Sequence, residues 1–423
     1  MVRLQKASNI GASALTKDSQ SSKAILKNVN WNFYQRSAFS PEEMRPFKCS
    51  AHHWCPATFV PEIPFTLIEV LSLPNAVVYD PFAGIGTTYF QALLLNRKPL
   101  ATEICKVSVE FMRALFRLFD PRIDLNEIKE RVQMIVTSYK PDSDYTSSED
   151  SRISIGKLRP WYSLKTLNQL AFLFAEQARC RDEMVRAAMR ISISAILQSV
   201  SSQDRGWGCI ADNVLPKEDK IKDKEALTLF NRHINRLLND ICEYLKYTKP
   251  GYDELYRDLS QQQTIFHNDV RGCKEIRESS VDLMVTSPPY PNMTDYVNSQ
   301  RLSYYFTGFD MANDWRLEIG ARSRRQRKDA LALYSEDMQH ANEAIAKKLK
   351  RGGYACYVMP VFSAANDNSK NRRQIVQKIM SKLEDLDLIK EDEFERILPT
   401  IRRAHNAKWA TLERERIYLF RKV

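Results

Sequence analysis

The sequence predicts an α/β protein: one doubly wound sheet of seven strands in a three-layer arrangement, interrupted once by a mostly helical insertion. Three observations lead there. The stretch 77–104 reads as strand, glycine-containing loop, helix and second strand, which is how such sheets open. Apolar, β-prone runs resume at 264–270, 281–287 and 353–359, and two more close the chain. Between about 113 and 262 the apolar residues recur instead at helical spacing.

Each element follows from its local pattern. The run VVYD ends at Asp80, and Phe90, Leu93 and Leu94 then recur on one helical face. The second strand, 99–104, carries Glu103 near its end. Leu164, Leu167, Leu170, Ala171 and Phe174 predict one amphipathic helix. Leu227, Phe230, Ile234, Leu237, Leu238 and Ile241 predict another. The polar stretch KPDSDYTSSEDS reads as separating this region from what precedes it, and the loop SSQDRGWGC interrupts its middle. A helix over 337–349 and the turn Arg351-Gly352-Gly353 lead into the strand GYACYVM. A helix over 373–383 precedes LIKEDEFERIL and RERIYLFRKV, which read as an antiparallel pair. The expected division is a flexible tail at 1–30, the first part of the sheet domain at 31–112, the insertion at 113–262 and the second part at 263–423.

Hydrophobic residues make up 43% of the 423 and charged residues 27%, which excludes wholesale disorder. No run approaches the ~18 apolar residues that span a bilayer, and the N-terminus lacks the apolar core of a secretory signal. A cytoplasmic protein without a membrane partner is expected. The net charge of +11 favours a polyanionic partner. Eight cysteines with no CxxC pair suit reduced thiols. Cys49, His52, His53 and Cys55 cluster in CSAHHWC, but the spacing matches no common zinc pattern. No metal is expected, and packing or substrate contact is the preferred role.

Two motifs carry the chemistry. In DPFAGIGTT (80–88), Gly84 and Gly86 let the backbone approach a ligand at a strand's C-terminal end. Glu103, 19 residues beyond Gly84, ends the next strand, where an acid can accept hydrogen bonds from ribose hydroxyls. The third glycine of the dinucleotide fingerprint and the lysine of a P-loop are both absent, so a cofactor without phosphates is left. In TSPPY (286–290) two prolines stiffen a turn after an apolar strand, holding the Ser287 hydroxyl and the Pro288 carbonyl in place beside the flat face of Tyr290.

Together these segments resemble motifs I and IV of the amino-methylating DNA methyltransferases. TSPPYPNMTDYV is similar to members of the N-4 cytosine / N-6 adenine family, and HHWCPATFVPEIPF resembles the segment before motif I in permuted members. The resemblance covers 50–112 and 264–423. It implies a Rossmann-like S-adenosylmethionine-dependent methyltransferase fold, with S-adenosylmethionine as cofactor. On the matching positions it implies a cofactor site of Thr58, Phe59, Asp80, Pro81, Phe82, Gly84, Gly86, Thr87, Glu103 and Asp269. It implies catalytic roles for Ser287, Pro288, Pro289 and Tyr290. The glycine motif precedes TSPPY here, whereas the best-studied orders often reverse them, which leaves the target-recognition element open.

The expected reaction methylates an exocyclic amine of a base in double-stranded DNA. Such an amine is a poor nucleophile because its lone pair is delocalised. Acceptors at Ser287 Oγ and the Pro288 carbonyl can draw the nitrogen towards tetrahedral geometry. The base must be flipped out, with Tyr290 stacking on it. Family members with Asp in place of Ser287 are often adenine enzymes, so Ser287 points to cytosine N4, with adenine N6 as the alternative. An RNA methyltransferase and a catalytically inactive nucleic-acid binder are the readings from other classes. Arg316, Arg322, Arg324, Arg325, Arg327 and Lys328 form one basic segment, and Arg402 and Arg403 lie between the last two strands. These are the expected DNA contacts. A restriction endonuclease acting on the same site is a possible companion.

Overall fold

The computed structural model describes residues 19–33, 45–58, 60–147, 155–203, 215–362, 367–398 and 412–423. Seven strands form one sheet: β1 (Val77–Asp80), β2 (Lys98–Glu103), β3 (Ile265–His267), β4 (Val281–Thr286), β5 (Leu349–Phe362), β6 (Leu388–Ile397) and β7 (Leu412–Lys422). Their order is β3-β2-β1-β4-β5-β7-β6. The pairings from β3 to β5 are parallel, and β7 runs against both β5 and β6. The chain winds outwards from β1 in one direction and from β4 in the other. The C-terminal ends of β1 and β4 therefore border the crevice where such sheets bind ligands.

The central strands β1 and β4 are buried on both faces, and the side-chain period of two sorts their residues. Val78, Leu283 and Val285 pack on one face with the helix Glu62–Leu71. Tyr79 and Met284 pack on the other with the helix Ala330–Lys348. The flexible tail expected over 1–30 does not extend through residues 19–30. Ser19–Lys27 is a helix, and Leu26 and Trp31 are buried in the first of these cores, because Ile25, Leu26, Val29 and Trp31 give this segment an apolar side.

The region between β2 and β3 is built of helices, including Leu164–Arg179, Glu183–Val200 and Ala226–Leu245. Side-chain caps start several of them. Asp124 accepts from the amides of Asn126 and Glu127, and Asp182 from those of Met184 and Val185. The helix Lys106–Leu118 straddles the boundary expected at 112/113, because its apolar face is continuous from Val107 to Leu118. These helices share one core with the glycine-loop helix Thr87–Leu94: Phe90, Met112, Ile193, Phe230 and Leu237 belong to the same cluster. Among the described residues, no helix is long and apolar enough to cross a membrane.

Candidate active site

β1 ends on Asp80, which is 1% exposed. Its Oδ1 accepts from the Phe82 amide at 3.1 Å and from the Thr286 hydroxyl at 2.6 Å. The second bond ties the glycine loop to the first residue of TSPPY across the β1–β4 boundary. Burial pushes the Asp80 carboxyl up to about 6, against the pull of its hydrogen bonds. Gly84 and Gly86 both have left-handed backbones, with φ of 53° and 83°. They differ in what surrounds them. A Cβ at Gly86 would come within 2.9 Å of Met112 Sδ, whereas one at Gly84 would enter open space in the cleft.

Glu103 closes this side. Its Oε2 accepts from the Gly84 amide at 2.7 Å and its Oε1 from the Cys105 amide at 2.8 Å. Burial pushes it up to about 7, the nearby Asp80 and Asp314 charges add to the rise, and the two amides oppose it. Each oxygen keeps further acceptor capacity towards the cleft.

The opposite wall comes from Ser287, Pro289 and residues 317–319, and a third side from Cys55 to Thr58. Together these segments surround a cleft of about 860 Å³ that includes space open to solvent. The CSAHHWC segment fastens that third side to the helical region. His53 Nε2 meets Gln300 Oε1 at 3.0 Å and its Nδ1 meets the Ser194 hydroxyl at 3.2 Å, while His52 pairs with Asp240 at 3.2 Å. Gln300 Nε2 also donates to Cys105 Sγ and Ser108 Oγ. Among the described residues, no group of three or more His, Cys, Asp or Glu is arranged to hold a metal ion.

Of the residues expected at the cofactor, Thr58, Pro81, Phe82, Gly84, Thr87, Glu103 and Asp269 line this one cleft. Asp80 and Gly86 stand behind it and shape the loop, and Phe59 lies outside the described residues. Asp269 borders the cleft, but its carboxylate is already engaged by the Arg271 guanidinium and caps the Arg271 amide.

The TSPPY turn departs from expectation at two places. Ser287 and Pro289 border the cleft and Pro288 is buried behind them. Tyr334 donates to the Pro289 carbonyl at 2.9 Å. Tyr290 is only 8% exposed, and its hydroxyl donates to Glu415 Oε1 at 2.8 Å, so in this conformation the ring offers no open face for stacking.

The basic segment divides as well. Arg324 turns inward, donating to the carbonyls of Trp315 and Glu318 and lying over the Trp315 ring at 5.5 Å. Arg327 pairs with Asp329. Arg316, Arg325 and Lys328 are exposed, and Arg402 and Arg403 lie outside the described residues. The sequence reading passed over Glu318, a buried carboxyl in the cleft wall pushed up to about 8 by burial, whose Oε1 accepts from the Tyr296 amide at 2.6 Å. It also passed over Gln300 and Glu415. Single polar residues outside a motif carry no local signal.

The strand order with a reversed β7, and the glycine loop and acidic strand end at the switch point, are those of the Rossmann-like methyltransferase fold. The DNA methylase family model matches residues 5–114, a span holding the glycine loop and Glu103 but not TSPPY. The type II methyltransferase M.MjaII of Methanocaldococcus jannaschii is 23% identical over 291 residues, 64% of this chain and 52% of that protein. The chain thus spans about half the length of that curated relative. A solved S-adenosylmethionine-dependent methyltransferase from Methanosarcina mazei is similar at 9% identity, with a TM-score of 0.21 over 41% of this chain and 79% of that one. That overlap is too slight to bear on the site. Over the matched residues the chain is similar to DNA methylases.

The cleft suits S-adenosylmethionine, the cofactor expected from the sequence. The described residues lining it include Glu103, Asp269 and Glu318 but no Lys or Arg. That is a poor cradle for phosphate and a tolerant one for a sulfonium cation. The space in front of Gly84 is what a side chain there would fill.

Proposed function

We propose that the protein methylates the exocyclic amine of a base in double-stranded DNA, with cytosine N4 as the target. The observation that carries this reading is the Thr286–Asp80 hydrogen bond, which places TSPPY and the glycine loop at one cleft. Ser287, where adenine enzymes of the family often have Asp, favours cytosine.

S-adenosylmethionine, when bound, supplies an electrophilic methyl group. Glu103 holds ribose hydroxyls with the acceptor capacity that its two amide bonds leave over. Phe82, Ile104 and Ile319 give the cleft apolar walls that limit water. Ser287 Oγ accepts from the flipped amine and turns its lone pair towards the methyl, with proximity supplying much of the rate. The nearby thiols suit no covalent route: burial pushes Cys105 up to about 12 and Cys55 well above its usual range. A restriction endonuclease sharing the site is a proposed partner, and the protein acts on cytoplasmic DNA.

Sequencing DNA from a host expressing the protein, with modified bases called singly, should reveal N4-methylcytosine in one recurring sequence. N6-methyladenine there would replace cytosine by adenine in this reading, and an unmodified genome would remove the reading.

The exposed cations of the 316–328 segment are proposed to meet DNA phosphates. Changing Arg316, Arg325 and Lys328 together to Gln should weaken binding to all duplexes alike. Each lost contact should reduce the slope of log affinity against log salt by about 0.9. Arg324→Gln should instead lower thermal stability, since that guanidinium bonds the Trp315 and Glu318 carbonyls. An unchanged salt slope with altered site preference would make the segment a sequence reader.

A further inference from the structure

A line of hydrogen bonds leaves the cleft at Ser287 and runs into the far half of the sheet. The Ser287 hydroxyl donates to Tyr290 Oη at 3.4 Å, and Tyr290 Oη donates to Glu415 Oε1 at 2.8 Å. Glu415 Oε2 in turn pairs with Arg396 Nε at 3.2 Å. Glu415 and Arg396 come from β7 and β6 and face each other in the ladder, being 8% and 3% exposed. A buried glutamate on a closing strand has no evident structural need to reach a phenol beside the catalytic turn. Leaving it charged there is costly unless it is paired.

The directions of the bonds matter. Ser287 donates to Tyr290 and Tyr290 donates to Glu415, so both protons in the line point away from the cleft towards a carboxylate. An amine that has gained a methyl group carries a positive charge and must lose a proton. The nearest acceptor is the Ser287 oxygen that, in the proposed reaction, already holds its N–H.

We propose that Tyr290 and Glu415 form a proton relay for the transfer reaction, with Arg396 holding Glu415 in place. This rests on the reading of Ser287 as the acceptor for the target amine. The amine nitrogen forms its bond to the methyl carbon as the carbon–sulfur bond breaks, leaving a neutral thioether and a positively charged amine. The amine proton passes to Ser287 Oγ, the serine proton to Tyr290 Oη, and the tyrosine proton to Glu415. The products are a neutral methylated amine and a neutral carboxylic acid, which returns its proton to water before the next turnover. Tyr290 thus has a task that its buried position permits, and Glu415 acts through it as a positioning residue.

The test uses the full chain with a duplex carrying the recognised site, followed by single-turnover transfer of labelled methyl. Glu415→Gln keeps the shape and hydrogen bond but cannot take the proton. It should slow transfer about 10²-fold with S-adenosylhomocysteine affinity unchanged, and it should lower the melting temperature because the buried Arg396 loses its charge partner. Tyr290→Phe should slow transfer to a similar extent. The double variant should be no slower than the slower single one, because one line is broken in either case. Wild type should show a solvent deuterium isotope effect on transfer that both single variants alter, a readout that a purely structural role would leave alone. Glu415→Asp, which retains the carboxylate, should recover part of the rate. Transfer by Glu415→Gln within twofold of wild type, or multiplicative losses in the double variant, would overturn the relay while leaving the methyltransferase reading intact. A wild-type protein that binds S-adenosylhomocysteine yet methylates no duplex would overturn both.

Discussion

A Ser287→Ala protein should bind S-adenosylhomocysteine as wild type does and transfer methyl groups to DNA about 10²–10³ times more slowly. Ser287 is half-buried at the cleft edge, and its hydroxyl bond to Tyr290 Oη is long, at 3.4 Å. Removing that hydroxyl costs the fold little. The loss falls on the amine, which no longer has an acceptor to draw its N–H away from the plane of the ring. It falls also on the route for the released proton, so the effect should equal or exceed that of Glu415→Gln. Single-turnover transfer and calorimetric titration with S-adenosylhomocysteine separate the two. Wild-type transfer by the alanine variant would sink the assignment of Ser287, and lost ligand affinity would move it to the cofactor.

Glu103→Ala should weaken S-adenosylhomocysteine about 10²-fold, since hydrogen bonds to a charged group contribute about 1.5–3 kcal/mol each. The binding should also depend on pH. The Glu103 carboxyl stands at about 7 in the folded protein against an ordinary 4.5. Below that value it is protonated and loses acceptor capacity towards ribose hydroxyls. Affinity should therefore rise between pH 6 and 8, with proton release on binding. The stability of the free protein should move the opposite way. A carboxyl raised on folding contributes stability that is fully present below about 4.5 and lost as pH rises through about 7. Glu103→Gln should flatten both dependences. Titration calorimetry in buffers of different ionisation enthalpy measures the proton count, and a pH-independent wild-type affinity would rule out direct contact with Glu103.

The glycine loop was legible because it depends on local chemistry. Positive φ at Gly84 and Gly86 demands glycine, and an acid ending the following strand is a matter of spacing. TSPPY was legible because two prolines after an apolar run can only be a turn. The roles within each motif were less so. Gly84 faces the cleft and Gly86 faces Met112, a difference that no spacing encodes. Tyr290 reads as an exposed aromatic after a turn, yet β7 supplies a carboxylate that draws its hydroxyl inward.

By itself the sequence determined which segments are strands and helices, where the chain turns, and which strand ends carry chemistry. Periods of two and of 3.6 residues, glycine and proline at turns, and cap residues such as Asp124 and Asp182 all act within a few residues of themselves. Only the tertiary structure decided which polar groups meet. His53 reaches Gln300 across 247 positions, Thr286 reaches Asp80 across 206, and Tyr290 reaches Glu415 across 125. It also decided that Arg324 and Arg327 are committed within the protein and that Asp269 is held by its own Arg271. A buried polar atom must find a partner, and which partner is near depends on how the sheet orders its strands and how the helices pack against it. Hydrophobic pattern is written along the chain, whereas hydrogen-bond partnership is created when distant parts of the chain are brought together.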